Sequence, residues 1–140
     1  NPLTWHTCVP SKGRSPNGRD LPTRMPTVTY ERFTILRVPF PFTDRGASKN
    51  RPALVLSDAA RFNTPAGHSV LAMITSRNNA PWPLDCPIVD LESAGLPAPS
   101  MVRFKLFTLD HRLVRGELGK LGAADAAAVC SQLEMLLGDA

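Results

Sequence analysis

The chain has 140 residues, of which 43% are hydrophobic and 20% charged, and its net charge is +4. A chain of this size can bury a core as one domain without metal or disulfide staples. Its three cysteines are an odd number without a close pair, which favours a reduced, cytoplasmic protein over a disulfide-stapled secreted one. No stretch approaches the roughly 20 apolar residues that cross a bilayer, so we expect no membrane association.

Residues 1–29 are interpreted as an irregular, proline-rich N-terminal extension. Five prolines are spread through this segment, and no apolar periodicity accompanies them. Four cations and one acid give the segment a net +3 of the total +4. The domain predicted over residues 30–140 is therefore nearly neutral, and the overall basicity of the chain says little about its partners.

Short runs of strand-forming residues begin after Tyr30. They predict five strands and a weaker sixth, at Phe33–Pro39, Pro52–Ser57, Val70–Thr75, Cys86–Asp90, Met101–Phe104 and Val114–Leu118. Strands this short and this frequent are typical of a curled antiparallel sheet or a small barrel. One helical turn is expected over Asp58–Asn63, ended by Pro65 and Gly67.

The C-terminal stretch changes to a helical period. It predicts an amphipathic helix over Ala123–Leu137, with Gly138 as its stop. The apolar stripe of this helix consists of Ala126, Val129, Cys130, Leu133, Leu136 and Leu137. Cys130 is therefore expected to be a buried thiol rather than a nucleophile. The predicted fold class is mainly β with α, an α+β domain.

Several familiar catalytic signatures are absent from the sequence. There is no glycine-rich phosphate loop, no paired Cys/His metal set and no Gly-x-Ser-x-Gly elbow, so we predict no metal site and no cofactor. The three histidines, His6, His68 and His111, lie in the extension, in a turn and in a polar connection, and we expect them at the surface. A ribonuclease that uses two histidines as acid and base is therefore poorly supported.

An arginine and two hydroxyls stand at the ends of strand-forming runs. Arg51 precedes Pro-Ala-Leu-Val-Leu, while Thr75 and Ser76 follow Ala-Met-Ile. Rigid strands can hold such side chains at one concave surface. Cleavage of RNA by its own 2′-hydroxyl requires stabilisation of charge at phosphorus, which a planar guanidinium and an oriented hydroxyl provide. Each residue taken singly is more typical of an ordinary strand end than of a catalytic site.

The pattern from Tyr30 to Gly138 as a whole resembles the MazF/PemK-like toxins, the endoribonucleases of type II toxin–antitoxin systems. The motifs that carry the resemblance are, in order, Val-Pro-Phe-Pro-Phe-Thr-Asp at 38–44, residues 49–57, Ala-Met-Ile-Thr-Ser at 72–76, Trp-Pro-Leu at 82–84, residues 95–103 and Lys-Leu-Phe-Thr-Leu-Asp at 105–110. The resemblance implies a small SH3-like antiparallel barrel of the MazF/CcdB type with a C-terminal helix.

The resemblance also implies an activity and partners. The implied activity is metal-independent, sequence-specific cleavage of single-stranded mRNA to 2′,3′-cyclic phosphate and 5′-hydroxyl ends, which inhibits translation and growth. The implied partners are the RNA substrate, a cognate acidic antitoxin that blocks the RNA groove, and a second copy of the chain in a homodimer.

Carried over position by position, the resemblance makes Arg51 the catalytic arginine and Thr75 the catalytic hydroxyl, with Ser76 beside it. The side chains expected to bind RNA are Phe42, Thr43, Lys49, Asn50, Arg77, Trp82, Arg103 and Lys105. Phe42 and Trp82 can stack on unpaired bases, as aromatic platforms do in single-strand recognition. Core or dimer packing is the competing interpretation for these aromatic residues.

One departure from the family and two alternative functions stay open. Relatives commonly have Gly-Asp at the start of the first strand, where this chain has Phe33-Thr34, so the turn of that strand is in question. CcdB-like toxins share the barrel and poison DNA gyrase through the end of their helix, but this chain lacks the Trp that such relatives present there. The other alternative is an inactive relative that only binds RNA, which shows no growth arrest and no RNA fragments with 5′-hydroxyl ends on expression.

Overall fold

Six antiparallel strands form one curled sheet in the computed structural model, which describes residues 28–40 and 49–138. The strands are β1 (Thr34–Phe40), β2 (Lys49–Val55), β3 (His68–Ser76), β4 (Cys86–Pro87), β5 (Ser100–Asp110) and β6 (Gly116–Lys120). Their order across the sheet is β4-β5-β3-β2-β1-β6. A strand overlaps each of the six predicted ranges, although β4 ends at Pro87 instead of Asp90 and β6 begins at Gly116 instead of Val114. The mainly β class with added helix is confirmed.

Three helices accompany the sheet: α1 (Thr64–Ala66), α2 (Leu91–Ala94) and α3 (Ala123–Leu137). A π-helical turn, Ala59–Asn63, runs directly into α1. The expectation that Pro65 ends this turn is wrong, because Pro65 lies inside the first turn of α1, where no backbone N–H is needed. Gly67, with a φ of 67°, ends the helix as predicted.

Strand β5 is much longer than the predicted Met101–Phe104. It continues to Asp110 because its register against β3 shifts, so that Ala72 pairs with Leu106 while the next residue, Met73, pairs with Arg103. The extra residues of such an irregularity interrupt the alternation of polar and apolar side chains. The sequence pattern therefore hides the second half of this strand.

The two faces of the sheet carry separate apolar clusters. Helix α3 covers one face, where Val129 and Cys130 pack against strand residues such as Ile35 and Leu54. The other face carries a smaller cluster that consists of Leu36, Val38, Ala53, Val55, Leu71 and Leu109. Because side chains alternate along a strand, neighbouring residues of β1 and β2 contribute to opposite clusters.

Helix α3 has the predicted bounds, and the expected burial of Cys130 is confirmed. The predicted apolar stripe is wrong in the last turn, since Leu136 and Leu137 are exposed. The packed part of the stripe ends with Leu133, which still contacts the core. No helix in the described ranges is long and apolar enough to cross a membrane.

The expectation of a surface histidine is wrong for His111, which is buried. Its Nδ1 lies 2.8 Å from the carbonyl oxygen of Val28, and its Nε2 lies 2.7 Å from the hydroxyl of Ser69. A carbonyl oxygen can only accept, so Nδ1 carries the proton and Nε2 accepts from Ser69. The ring also meets Tyr30 edge-on at 5.0 Å. These contacts of His111 bind the segment before β1 to the sheet, a role that the sequence analysis did not predict. Of the other two histidines, His68 is partly exposed and His6 lies outside the described residues.

Phe33 occupies a backbone conformation that favours glycine. Its φ is 72°, in the left-handed region, yet its side chain is only 4% exposed and belongs to the core under α3. Its N–H donates to Val55 at 2.8 Å, and its carbonyl accepts from Leu121 at 2.9 Å. Phe33 therefore combines a left-handed backbone turn before β1 with a buried aromatic ring.

Candidate active site

Arg51 and Thr75 lie on neighbouring strands, each two residues beyond the last pair that joins those strands. Strands β2 and β3 pair in a register that places Ala53 opposite Met73 and Leu54 opposite Ala72. Because side chains alternate along a strand, Arg51 projects from the same face as Ala53, and Thr75 from the same face as Met73. Ala53 and Met73 are directly opposite each other and therefore share one face of the sheet. The structure therefore places the guanidinium and the hydroxyl on one side of the sheet.

Pro52 ends the hydrogen-bonded ladder just before these two residues. Just after β2, the N–H of Leu56 donates a hydrogen bond to the carbonyl of Val70 in β3 at 2.8 Å. In an antiparallel pair, the backbone N–H and C=O groups of every second residue point toward the same neighbouring strand, so the backbone groups of residue 52 also point toward β3. Proline has no N–H to donate. The ladder between the strands stops at Ala53, and Arg51 lies beyond the point where hydrogen bonds join them.

The Arg51 side chain is exposed. Within residues 28–40 and 49–138, its guanidinium has no hydrogen-bond or ion-pair partner. None of its five N–H donors is therefore bound to another side chain or carbonyl of the described residues. Arg103 projects from the same face, because it pairs with Met73, two residues before Thr75 in β3.

The hydroxyls of Thr75 and Ser76 have different surroundings. Thr75 is half-buried, and its Oγ1 accepts a hydrogen bond from Nδ2 of Asn79. Ser76 is exposed, follows Thr75 directly and so projects from the opposite face, where its Oγ accepts from the Asn78 N–H at 3.1 Å. Arg51 and Thr75 therefore project from the same face of the sheet, and Ser76 projects from the other.

The cations predicted to bind RNA gather at the same end of the sheet. Lys49 shares the face of Arg51, while Asn50 projects from the opposite face and accepts from Arg115 at 2.8 Å. Arg77 is exposed just after β3. Arg115 was missed, because no motif surrounds it. The predicted contacts Phe42 and Thr43 lie outside the described residues.

Arg103 holds the turn that carries Trp82. Its Nε and Nη2 donate to the Asp85 carboxylate at 3.2 and 3.0 Å, and Nη2 also donates to the Ala80 carbonyl at 2.6 Å. The same carboxylate accepts from the Trp82 N–H at 2.9 Å. Only the two N–H groups of Nη1 on Arg103 have no bond within the described chain. Asp85 was not predicted as part of the site.

Trp82 presents a large aromatic surface beside two cations. The side chain is 41% exposed, with the Lys105 Nζ 4.5 Å and the Arg103 Cζ 5.7 Å from its ring centroid. Cation–π contacts of this kind orient the ring while leaving it accessible. The structure therefore joins Trp82, Arg103 and Lys105 into one group.

Positive charge dominates this end of the sheet. The cations gathered there are Lys49, Arg51, Arg77, Arg103, Lys105 and Arg115, and of these only Arg103 has an ion-pair partner in the part of the chain that is described. Such a surface suits a polyanion with accessible bases. No group of three or more His, Cys, Asp or Glu residues that could hold a metal is found among the described residues.

Comparison with known proteins supplies a family context. The family model described as PemK-like, MazF-like toxin of type II toxin-antitoxin system matches residues 31–137. No curated protein matches the chain. The crystal structure of MazF from Deinococcus radiodurans is 26% identical with a TM-score of 0.61, and the match covers 80% of this chain and 99% of that one.

Two further structures share the fold at lower identity. The matched chain in the crystal structure of MazE–MazF from Deinococcus radiodurans is 23% identical to this chain, with a TM-score of 0.64. The match covers 81% of this chain and 100% of that one. A mycobacterial endoribonuclease in complex with its cognate antitoxin is 17% identical with a TM-score of 0.61, over 79% of this chain and 94% of that chain. The predicted barrel type with its C-terminal helix is thereby confirmed.

Proposed function

Because the chain belongs to the PemK-like, MazF-like toxin family of type II toxin–antitoxin systems, we propose that it is an endoribonuclease that cleaves single-stranded RNA. The observation that supports the proposal is that an exposed guanidinium and a hydroxyl project from one face of the sheet. Arg51 and Thr75 lie on the neighbouring strands β2 and β3, each two residues beyond the pair Ala53 and Met73. The surrounding cations and the exposed Trp82 favour a single-stranded polyanion as the ligand.

The proposed reaction uses the RNA's own 2′-hydroxyl as nucleophile. Its oxygen attacks the adjacent phosphorus and loses its proton, the bond from phosphorus to the 5′-oxygen breaks, and the 5′-oxygen gains a proton. The products are a 2′,3′-cyclic phosphate and a 5′-hydroxyl. Arg51 donates two N–H groups to the phosphate oxygens, on which negative charge increases in the transition state. The Thr75 hydroxyl donates a hydrogen bond to the same phosphate.

The direct test is cleavage of RNA by the purified full chain. Single-stranded RNA incubated with the protein in EDTA should give discrete fragments, whose 5′ ends accept a linker only after treatment with a polynucleotide kinase. Induced expression should arrest growth and give the same ends in cellular mRNA. RNA that is bound but stays intact would instead identify an inactive binding protein and contradict the proposal.

We expect Asp85→Asn to weaken binding of single-stranded RNA about three- to tenfold, although it removes a negative charge from the binding surface. The reason is that Asp85 fixes both the Arg103 guanidinium and the Trp82 N–H, and a hydrogen bond to a charged group contributes about 1.5 kcal/mol or more. Fluorescence anisotropy with a labelled RNA at fixed salt measures the effect.

Asp58→Asn is the matched control for this prediction. It removes the same charge at the other end of β2, where Asp58 accepts from the Arg61 N–H at 2.8 Å, a cap that asparagine also provides. We expect this variant to bind RNA as tightly as the parent or slightly more tightly. Equal affinities for the two variants, with unchanged melting temperatures, would show that Asp85 does not organise the RNA surface.

The proposal extends to partners and location. We propose a cognate antitoxin with an acidic segment, a homodimer and action on mRNA in the cytoplasm. The MazE–MazF complexes among the similar structures support the first of these. A cationic surface in which, among the described residues, only Arg103 has an ion-pair partner favours an acidic partner protein. A mass of one chain, 15.2 kDa, in sedimentation equilibrium would contradict the homodimer.

A further inference from the structure

Asn79 reaches back from the turn after β3 to the proposed catalytic hydroxyl. Its N–H donates to the Ser76 carbonyl at 3.1 Å, which folds the turn over the end of the strand. Its side-chain Nδ2 then donates to Oγ1 of Thr75 at 2.5 Å. Thr75 has no other side-chain partner in the described part of the chain.

This contact determines what the hydroxyl can do. A threonine hydroxyl has one proton to donate and two lone pairs to accept with, whereas an amide NH₂ can only donate. The amide therefore occupies a lone pair, and the hydroxyl proton needs an acceptor elsewhere. A hydroxyl that accepts one hydrogen bond is also a better donor in the next, because successive bonds polarise one another.

We propose that Asn79 is a positioning residue that makes Thr75 a hydrogen-bond donor to a non-bridging oxygen of the scissile phosphate. The inference rests on the proposed ribonuclease function and deepens it. Arg51, which projects from the same face of the sheet as Thr75, binds that phosphate as well. Asn79 itself does not touch the reacting atoms and acts only through Thr75.

The test compares Asn79→Asp with Asn78→Asp in the full chain. Aspartate has the shape of asparagine, but its carboxylate only accepts, so at position 79 it takes the Thr75 proton away from the phosphate. Asn78 is an exposed neighbour whose structural bond is made by its backbone N–H, so the control adds the same charge beside the site. The substrate is an RNA oligonucleotide with one mapped cut site.

We expect Asn79→Asp to lower kcat about ten- to a hundredfold relative to Asn78→Asp, with KM nearly equal in the two variants. Asn79→Ala, which removes the donor without adding a competing acceptor, should lie between the parent and Asn79→Asp. In a Thr75→Ala background, the difference in kcat between the two aspartate variants should disappear, because the residue through which Asn79 acts is gone.

A stereochemical measurement separates positioning from a merely structural role. Substrates with the Rp or Sp phosphorothioate at the cut site replace one or the other non-bridging oxygen by sulfur, a weak hydrogen-bond acceptor. Thr75→Ala and Asn79→Asp should change the Rp to Sp rate ratio by the same factor, while Asn78→Asp keeps the parent ratio. Loss of folding would change neither ratio among the molecules that remain active.

The outcomes distinguish this inference from the proposed function. If the parent cleaves the oligonucleotide and Asn79→Asp matches Asn78→Asp in kcat and in the Rp to Sp ratio, Asn79 does not position Thr75, and the ribonuclease proposal stands. If the parent cleaves no RNA under any of these conditions, the ribonuclease proposal is overturned and this inference with it.

Discussion

Replacing Arg51 with alanine should lower kcat for RNA cleavage about 10²- to 10³-fold, the usual loss when one preorganised donor to a developing oxyanion is removed. The Arg51 side chain has no bond to any other described residue, so we expect the fold not to depend on it. The melting temperature of the variant should therefore match that of the parent. Single-turnover cleavage of a labelled RNA in EDTA measures the rate.

Two further variants sharpen this prediction. Arg51→Lys keeps the charge but loses the planar pair of donors, so its rate should lie between those of the parent and the alanine variant. Arg61→Ala removes an equally exposed arginine from the turn at the far end of β2 and should retain the parent rate. A cleavage rate for Arg51→Ala within threefold of the rate for Arg61→Ala would remove Arg51 from the catalytic assignment.

Replacing Phe33 with alanine should lower the free energy of unfolding by about 3 kcal/mol or more, the range for a truncated buried phenylalanine. Phe33→Gly should be less damaging than Phe33→Ala by about 1 kcal/mol, because the φ of 72° costs every residue except glycine. Urea unfolding of the three proteins measures both differences.

Ile35 provides the matched comparison on the same face and in the same core. It lies within β1, has an ordinary strand conformation and is fully buried. There Ile35→Gly should be less stable than Ile35→Ala by about 0.5 to 1 kcal/mol, the normal order within a strand. The same order at Phe33 as at Ile35 would show that its backbone is not strained.

The order of elements follows from local pattern. Period-two runs identified all six strands, and the period of 3.6 identified α3 with its true ends. The sequence pattern failed to predict the length of β5, because the register between β3 and β5 shifts opposite Ala72 and Met73 and interrupts the alternation of polar and apolar residues. It also missed α2, whose four residues are too few to show a period; Asp90 caps that helix by accepting from Ser93 at 3.1 Å.

The candidate site was predictable only in part. Arg51 and Thr75 stood out because each is a polar residue next to an apolar strand within a family motif. Asn79 and Asp85 did not, since Asn and Asp are the residues that turns ordinarily contain. Arg103 was predicted as a simple RNA contact, whereas its ion pair with Asp85 also makes it the anchor of the Trp82 turn.

Residue types and their spacing are properties of short stretches of chain, and they alone determined the strands, the C-terminal helix and the identity of the arginine and the hydroxyl. The hydrogen bond from the Asn79 amide to Thr75 spans only four residues and depends on the turn after β3. The common face of Arg51 and Thr75 and the burial of His111 were decided by the tertiary structure. Both depend on strand register or on side chains from distant segments brought together by folding, and the energies of such contacts leave no periodic trace in the sequence.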